Sequence, residues 1–309
     1  MILLKKKSDF IYMKKRITGF LVISVTYALA FLVAFLVGTF FRTLHPLLVV
    51  LFSDIAATIV VYIISSIYNN TSIYDPYWSV APVFIAFYYI LFSPYSGNFI
   101  RRILVLTLTA IWATRLTWHW ARGWEGLKDE DWRYTLYRKE HKKIFWVINL
   151  FGLQLMPTIA VYLASLSLYP ALFIKGTPFN LLDITGIIVT ATAIIIEAVA
   201  DNQLQEFIQQ RESKEKIMKQ GLWHYSRHPN YFGEILFWFG LYFFALATDI
   251  HFWWTIIGPI FILLLFYFIS IPLMDQRNLS RRPEYEEHMQ KVSKLFLLPP
   301  KENNSSQSS

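Results

Sequence analysis

The chain has 309 residues, of which 55% are hydrophobic and 18% aromatic, while only 16% carry a charged side chain. A soluble domain of this length needs less apolar material than this, so the composition indicates a membrane protein. The formal net charge is +8, but lysine and arginine concentrate in segments that would share one side of the membrane. We therefore predict no nucleic-acid partner. The absence of cysteine excludes disulfides, thiolate nucleophiles and cysteine metal sites.

Eight windows are apolar and long enough to cross a bilayer, where only a helix satisfies its own backbone hydrogen bonds. They are residues 17–41, 47–67, 79–95, 103–121, 144–172, 182–200, 232–248 and 252–273. We predict an all-α, polytopic transmembrane bundle of about eight spans (roughly seven to ten) with a cytoplasmic N-terminus. The window 144–172 contains Pro157 and could form a broken or paired element.

The predicted organisation is one transmembrane domain at 17–300, between a basic cytoplasmic tail at 1–16 and a disordered polar tail at 301–309. The first apolar run lacks a small-residue cleavage site, so we interpret it as a retained span and not as a signal peptide. The polar stretches 122–143 and 201–231 and the C-terminal segment 274–300 all fall on the predicted cytoplasmic side. We expect a site to form between them.

The segment SRHPNYFGE at 226–234 places polar side chains at the start of an apolar run, where they mark a functional site by default. Pro229 suits the first position of a helix. The free N–H groups and positive dipole of that helix would then lie beside Arg227 and His228, an arrangement that suits a phosphate. Asn230 and Glu234 are four residues apart and share one helix face, so they can contact one ligand.

Two further polar groups lie within or after predicted spans. Arg115 lies within a predicted span and should face the bundle interior or pair with Asp54, Asp75 or Glu125. In the C-terminal segment, Tyr285 and His288 share one helix face, and the arginines nearby suit phosphate oxygens, because a guanidinium binds them bidentately. These are Arg277, Arg281 and Arg282. The alternative is a basic helix lying on anionic lipid.

The stretch GLWHYSRHPNYFGE resembles the signature of the steroid 5-alpha-reductase-like C-terminal domain, in its branch of uncharacterised membrane proteins. Three other stretches resemble the same branch: DPYWSVAP at 75–82, TRLTWHWARGWEGLKDEDWRY at 114–134 and EAVADNQLQEF at 197–207. The resemblance extends over about residues 70–300. The shorter RHP-x-Y core is shared with isoprenylcysteine and phospholipid methyltransferases, so it does not by itself separate the two activities.

The resemblance implies a membrane-embedded enzyme that uses NADPH to reduce a carbon–carbon double bond of a sterol-like or other lipid. The cofactor-binding residues that it implies, together with those proposed above, are Asp201, Arg227, His228, Asn230, Tyr231, Glu234, Arg277, Arg282, Tyr285 and His288. An acid near the substrate carbonyl is also needed, and the candidates for catalysis are Asp75, Tyr134 and Arg115. No glycine-rich dinucleotide motif is present, and the histidines lack metal-ligand spacing, so we expect no metal.

Two alternatives remain open from the sequence. One is an S-adenosylmethionine-dependent lipid or prenyl-cysteine methyltransferase on a related scaffold, and the other is a lipid-binding membrane protein without catalysis. The expected location is the endoplasmic reticulum in a eukaryote, and otherwise the inner or plasma membrane.

Overall fold

The computed structural model describes residues 2–301, with side chains from residue 13, and in this part of the chain helices are joined by loops and no β-sheet is present. Ten helical segments follow one another: α1 (Ile2–Phe40), α2 (Pro46–Ile67), α3 (Tyr77–Phe92), α4 (Phe99–Gly123), α5 (Trp132–Glu140), α6 (Phe145–Phe173), α7 (Leu181–Gln210), α8 (Pro229–Thr248), α9 (Ile250–Arg281) and α10 (Tyr285–Lys291). The predicted all-α fold is therefore confirmed.

Six of these helices are long and apolar enough to cross a membrane: α1, from Met13 to its end, α2, α6, α7, α8 and α9. They cover six of the eight predicted windows. The other two windows correspond to α3 and α4, which form an antiparallel pair in the same bundle. The helix α1 also continues through residues 2–16, the predicted basic tail. The predicted disordered tail lies almost wholly outside the described residues.

Hydrogen bonds between the loops show which helix connections lie together at each end of the bundle. At one end, called the polar end below, Arg16 donates to the carbonyl of Ala121 at 2.6 Å, and Asn70 donates to the carbonyl of Leu127 at 2.8 Å. This end holds residues 68–76, 124–144, 211–228 and 282–301. At the opposite end, Ser93 donates to the carbonyl of Phe173 at 2.5 Å. All the large polar segments therefore gather at one end.

The opposite end is fastened by a buried ion pair. Arg101 donates to both carboxylate oxygens of Asp183, at 2.6 and 2.8 Å, and to the carbonyl of Ala247 at 3.0 Å. Both side chains are almost fully buried. A planar guanidinium satisfies several acceptors in fixed directions, so this one residue joins α4, α7 and the end of α8.

Two helices contain a π-helical turn, at Asn149–Leu155 in α6 and at Phe266–Ser270 in α9. Such turns widen a helix locally and often occur at functional sites. The predicted interruption at 144–172 is thus a change of helical geometry inside one continuous helix. Pro157 lies just after the π-helical turn, at the second residue of the following α-helical part.

Glycines bring α8 close to α7. A Cβ atom at Gly233 would lie 3.0 Å from the backbone nitrogen of Glu197, and one at Gly240 would lie 2.8 Å from the backbone nitrogen of Thr190. Small residues allow such close approach between membrane helices. The contact places Glu197 of α7 beside Glu234 of α8, where the cavity described next begins.

Candidate functional site

A cavity of about 450 Å³ lies within the polar end of the bundle. Its size falls in the ordinary range for small-molecule sites. One part of its wall is apolar and comes largely from α6 and α9, including Leu153, Met156, Pro157, Leu265, Phe266 and Ile269. The other part is polar and contains six residues that the sequence proposed for the site: Asp75, Tyr134, Asp201, Asn230, Tyr231 and Glu234.

Three tryptophans hold the carboxylate of Glu234. Its Oε1 accepts from the indole N–H of Trp78 and of Trp238, both at 3.0 Å, and its Oε2 accepts from Trp112 at 2.9 Å. Glu234 is buried on the first turns of α8, so an unpaired carboxylate there would be costly. The three donors come from α3, α4 and α8. They fix the position of this acid in the cavity wall.

Arg115 of α4 joins two acids of α7. Its guanidinium donates to Asp201 Oδ2 at 2.7 Å and forms an ion pair with Glu197. The two acids are four residues apart and therefore share one helix face. The predicted partners of Arg115, namely Asp54, Asp75 or Glu125, were wrong, because the spacing along one helix does not reveal which neighbouring helix faces it. Arg115 stands behind the carboxylates and does not line the cavity.

Asn230 and Tyr231 continue this wall from α8, which begins at Pro229 as predicted. The side-chain amide of Asn230 donates to Asp201 Oδ1 at 3.2 Å, so Asp201 is bonded from two helices. The ring of Tyr231 is stacked on that of His228, with centroids 5.3 Å apart. His228 is thus behind Tyr231 and not in the cavity wall.

Asp75 and Tyr134 form a hydrogen-bonded pair at the cavity wall. The Tyr134 hydroxyl donates to Asp75 Oδ1 at 2.6 Å. Asp75 lies between α2 and α3, enclosed by protein, with part of its surface open to the cavity. Burial raises the pKa of Asp75 to about 6, against the lowering effect of Tyr134 and Arg133. This carboxyl group can therefore hold a proton close to neutral pH, as a general acid requires.

Arg227, His228 and Tyr285 meet at a different acid, Asp275 of α9. Arg227 donates to its Oδ2 at 2.7 Å, while His228 Nε2 and the Tyr285 hydroxyl lie 3.0 Å from its Oδ1. Burial lowers the pKa of His228. His288, whose ring lies 5.6 Å from that of Tyr285, also has a pKa lowered by burial, to about 4. Neither imidazole would supply a positive charge to a phosphate.

The backbone beside this cluster is joined to the C-terminal segment. Arg227 N–H donates to the carbonyl of Ser293 at 2.9 Å, and the Ser226 hydroxyl donates to the carbonyl of Leu295 at 2.7 Å. Leu298 N–H donates to the carbonyl of Tyr225 at 3.1 Å. Residues 225–227 therefore fasten the C-terminal segment to the start of α8, outside the cavity lining.

An arginine cluster lies at the surface of the polar end. The guanidinium of Arg277 is 4.2 Å from the ring centre of Trp132, whose neighbours Asp131 and Arg133 line the cavity. Arg282 lies farther along, and its pKa is lowered by partial burial and by nearby Arg211 and Arg281. Like charges held together in this way form a natural site for an anion. Arg277 and Arg282, which were proposed from the sequence as cofactor-binding residues, belong to this cluster.

Three parts of the arrangement were not among the proposed site residues. Glu197, Asp275 and the tryptophans around Glu234 all became evident only from contacts between distant helices. The sequence did indicate that Glu197 is unusual, because a glutamate inside an apolar span needs a polar partner. That partner is Arg115. Trp78 lies beside a polar loop, where tryptophan is common at the membrane interface, and nothing in the spacing of Trp112 or Trp238 along the sequence indicated a shared partner.

These observations define a polytopic helical membrane protein with a cavity whose wall is mainly apolar, with a carboxylate-rich part. The chain belongs to a protein family described as of unknown function (DUF1295), whose model matches residues 61–292. It is also 23% identical over 280 residues to an uncharacterised protein of Schizosaccharomyces pombe, covering 83% of this chain and 81% of the relative. No solved structure matches the chain.

Proposed function

We propose that the protein is an NADPH-dependent reductase of a carbon–carbon double bond conjugated to a carbonyl group in a lipid. The observation that carries the proposal is that one cavity combines a carboxylate wall, at Glu197, Asp201 and Glu234, with a separate acid, Asp75, that can be protonated. The resemblance of the motifs to the steroid 5-alpha-reductase-like family supports the same reaction.

The residues present fit the two ends of the cofactor differently. The phosphates would be repelled by the carboxylate wall, but the arginine cluster of Arg277, Arg281 and Arg282 lies just outside it on α9 and the turn that follows. The nicotinamide ring suits the wall itself, because it becomes positively charged as hydride leaves. Glu197 and Asp201 would stabilise that developing charge. Because this stabilisation is stronger in the transition state than in the ground state, it would lower the activation barrier.

When bound, NADPH supplies the hydride, which adds to the β carbon of the substrate. Hydride addition converts the enone to an enolate, and the Asp75 carboxyl group is positioned to protonate its oxygen. The resulting enol tautomerises to the saturated ketone, and Asp75 is left as a carboxylate that water at the polar end can reprotonate. Tyr134 donates a hydrogen bond to Asp75 Oδ1 and so orients that carboxyl group. Since Asp75 must be protonated to act, the rate should fall as the pH rises through about 6.

Methyl transfer from S-adenosylmethionine is the second candidate, and the carboxylate wall favours it in one respect. A sulfonium is a cation and would be attracted to Glu197 and Asp201. However, methyl transfer removes the positive charge, so the same carboxylates would stabilise the ground state and slow the reaction. Hydride transfer creates positive charge and gains from them. Because of this difference, we favour reduction over methyl transfer as the activity of the protein.

The decisive experiment uses the full-length protein in lipid nanodiscs with 4-deuterated NADPH and α,β-unsaturated ketone lipids. Deuterium should appear at the β carbon of the reduced lipid, and Asp75→Asn should lower kcat by roughly 10²–10⁴-fold. Asp129→Asn is a matched control, because Asp129 lies at the same end but does not line the cavity. Calorimetric titration that detects S-adenosylmethionine and no NADPH would reject the reductase.

We also propose that α3 and α4 cross the membrane with the six longer helices, which gives eight crossings and places both described chain ends at the polar end. Lysine and arginine are abundant there, so the positive-inside rule favours the cytoplasmic side for this end. NADPH is a cytoplasmic cofactor, and the cavity would open toward it. The proposed membrane is the endoplasmic reticulum in a eukaryotic cell and the inner or plasma membrane otherwise.

A further inference from the structure

Helices α6 and α9 pack closely over only part of their length. Near the opposite end, a Cβ atom at Gly258 of α9 would lie 2.2 Å from the carbonyl oxygen of Leu163 of α6, so the two backbones touch there. Toward the polar end each helix enters its π-helical turn. Gly152 and Leu153 from the first turn and Phe266 and Ile269 from the second then line the cavity. The helices meet at one end and border the cavity at the other.

The cavity is open on this side. Ile269 lines it and is nevertheless 46% exposed. Its neighbours on the two turns, Phe151 and Phe268, are 63% and 66% exposed and belong to helices that are apolar enough to span a membrane. Side chains exposed on such helices face lipid. The opening between the two turns therefore leads from the bilayer into the cavity.

The size of the cavity adds a second argument. A volume of about 450 Å³ corresponds to one drug-sized ligand, and on the proposed function it must hold the nicotinamide and the reacting part of the substrate together. A whole membrane lipid would not fit in the remainder. Most of a lipid substrate would have to remain outside, in contact with the apolar faces of α6 and α9.

We infer that the gap between the π-helical turns at 149–155 and 266–270 is a lateral portal for an amphipathic lipid. The lipid inserts its oxygenated, unsaturated end toward Asp75 and Tyr134, while its hydrocarbon part stays in the bilayer. The inference rests on the proposed function only for the chemistry of the inserted end. The π-helical turns explain the portal physically, because the widened backbone turns each helix away from its neighbour at the level of the cavity.

The portal can be tested without measuring reduction. The probe is a long-chain α,β-unsaturated ketone with a diazirine on its alkyl chain, incorporated in phosphatidylcholine vesicles with the full-length protein. After irradiation, the labelled peptides are identified by mass spectrometry, with and without an excess of the same ketone lacking the diazirine. Labelling that is suppressed by the competitor should map to residues 149–155 and 266–270. Suppressed labelling only between other helices would overturn the inference.

A variant pair makes the test sharper. A Cβ atom at Gly152 would meet only Ile148, at 3.8 Å, so Gly152→Trp has room to fold while it fills the portal. Ile188→Trp is the matched control, because Ile188 is 61% exposed on a different membrane helix, α7, and does not line the cavity. The competed labelling should fall about tenfold or more in Gly152→Trp and stay unchanged in Ile188→Trp. Equal labelling in both variants, with equal thermal unfolding, would also overturn the inference.

The result separates this inference from the proposed function. Competed labelling at the two turns without any deuterium transfer would reject the reductase and keep the portal. Deuterium transfer that is unaffected by Gly152→Trp would reject the portal and keep the reductase.

Discussion

The three indole donors on Glu234 allow a quantitative test of how the cavity wall is held. In Glu234→Gln, the amide oxygen can keep the bonds from Trp78 and Trp238, but the new NH₂ group then faces the N–H of Trp112. That indole is fully buried, so its donor loses its partner. The substitution therefore removes one charge-assisted hydrogen bond and leaves one buried donor without an acceptor. Together these changes should lower the free energy of unfolding by about 2–4 kcal/mol.

The donor conflict can be relieved by a second substitution. Trp112→Phe removes the N–H and keeps an aromatic ring against Phe237, whose centroid lies 4.5 Å away. The double variant Glu234→Gln/Trp112→Phe should be more stable than the sum of the single effects predicts, by about 1–2 kcal/mol. Additivity would mean that Trp112 does not bond to Glu234, and the described wall would be refuted.

The assay is unfolding in mixed micelles at increasing mole fractions of dodecyl sulfate, followed by far-ultraviolet circular dichroism so that the loss of a tryptophan does not disturb the signal. Trp124→Phe is the matched control. Trp124 is also buried and donates its indole N–H, to the carbonyl of Asp129, but it packs in a separate cluster. Its effect should add to that of Glu234→Gln within about 0.5 kcal/mol.

Three further predictions concern other charged groups. Asp275→Ala should lower the free energy of unfolding by about 3–5 kcal/mol in the same assay, because it leaves the buried charge of Arg227 unpaired; a loss below about 1 kcal/mol would contradict the pairing. Arg101→Lys should cost about 1–3 kcal/mol, since an ammonium cannot reproduce the two bonds to Asp183, and an unchanged midpoint would speak against it. The raised pKa of Asp75, about 6 in place of 3.8, means that the folded state binds this proton more tightly than the unfolded state. The resulting stabilisation is complete below about pH 4 and is lost as the pH rises through about 6. Asp75→Asn should remove this pH dependence of the free energy of unfolding. If the wild-type and Asp75→Asn proteins gave parallel curves of unfolding free energy against pH, the raised pKa of Asp75 would be excluded.

The helical class and most helix positions could be predicted because each span is a local property of the sequence. A run of about 20 apolar residues must be helical in a bilayer, and Pro229 marked a helix start through its own backbone chemistry. Tertiary contacts between spans are not local. The interruption at 144–172 could be foreseen from Pro157, but its form as a π-helical turn depends on packing against neighbours.

The sequence predicted which residues form the candidate site. It did not predict that some of them line the cavity while others bond to Asp275 outside it. Asn230 and Glu234 share one helix face and line the same cavity, whereas Arg227 and His228, next to them in sequence, bond to Asp275. The directions of the Arg227 and His228 side chains depend on Asp275, which lies 48 and 47 residues away in sequence, and Ser226 bonds to Leu295, 69 residues away. No spacing rule within 226–234 contains that information.

The bonds between 225–228 and 293–298 also have a consequence for biosynthesis. A ribosome adds residues from the N-terminus at roughly 5–20 per second, so every membrane helix has been made before Ser293 and Leu295 can reach Ser226 and Arg227. Until then, the backbone around Arg227 has no partner at the membrane surface. The newly inserted bundle therefore passes through a state in which the start of α8 lacks these bonds, and closure by residues 293–298 follows synthesis of the described membrane helices.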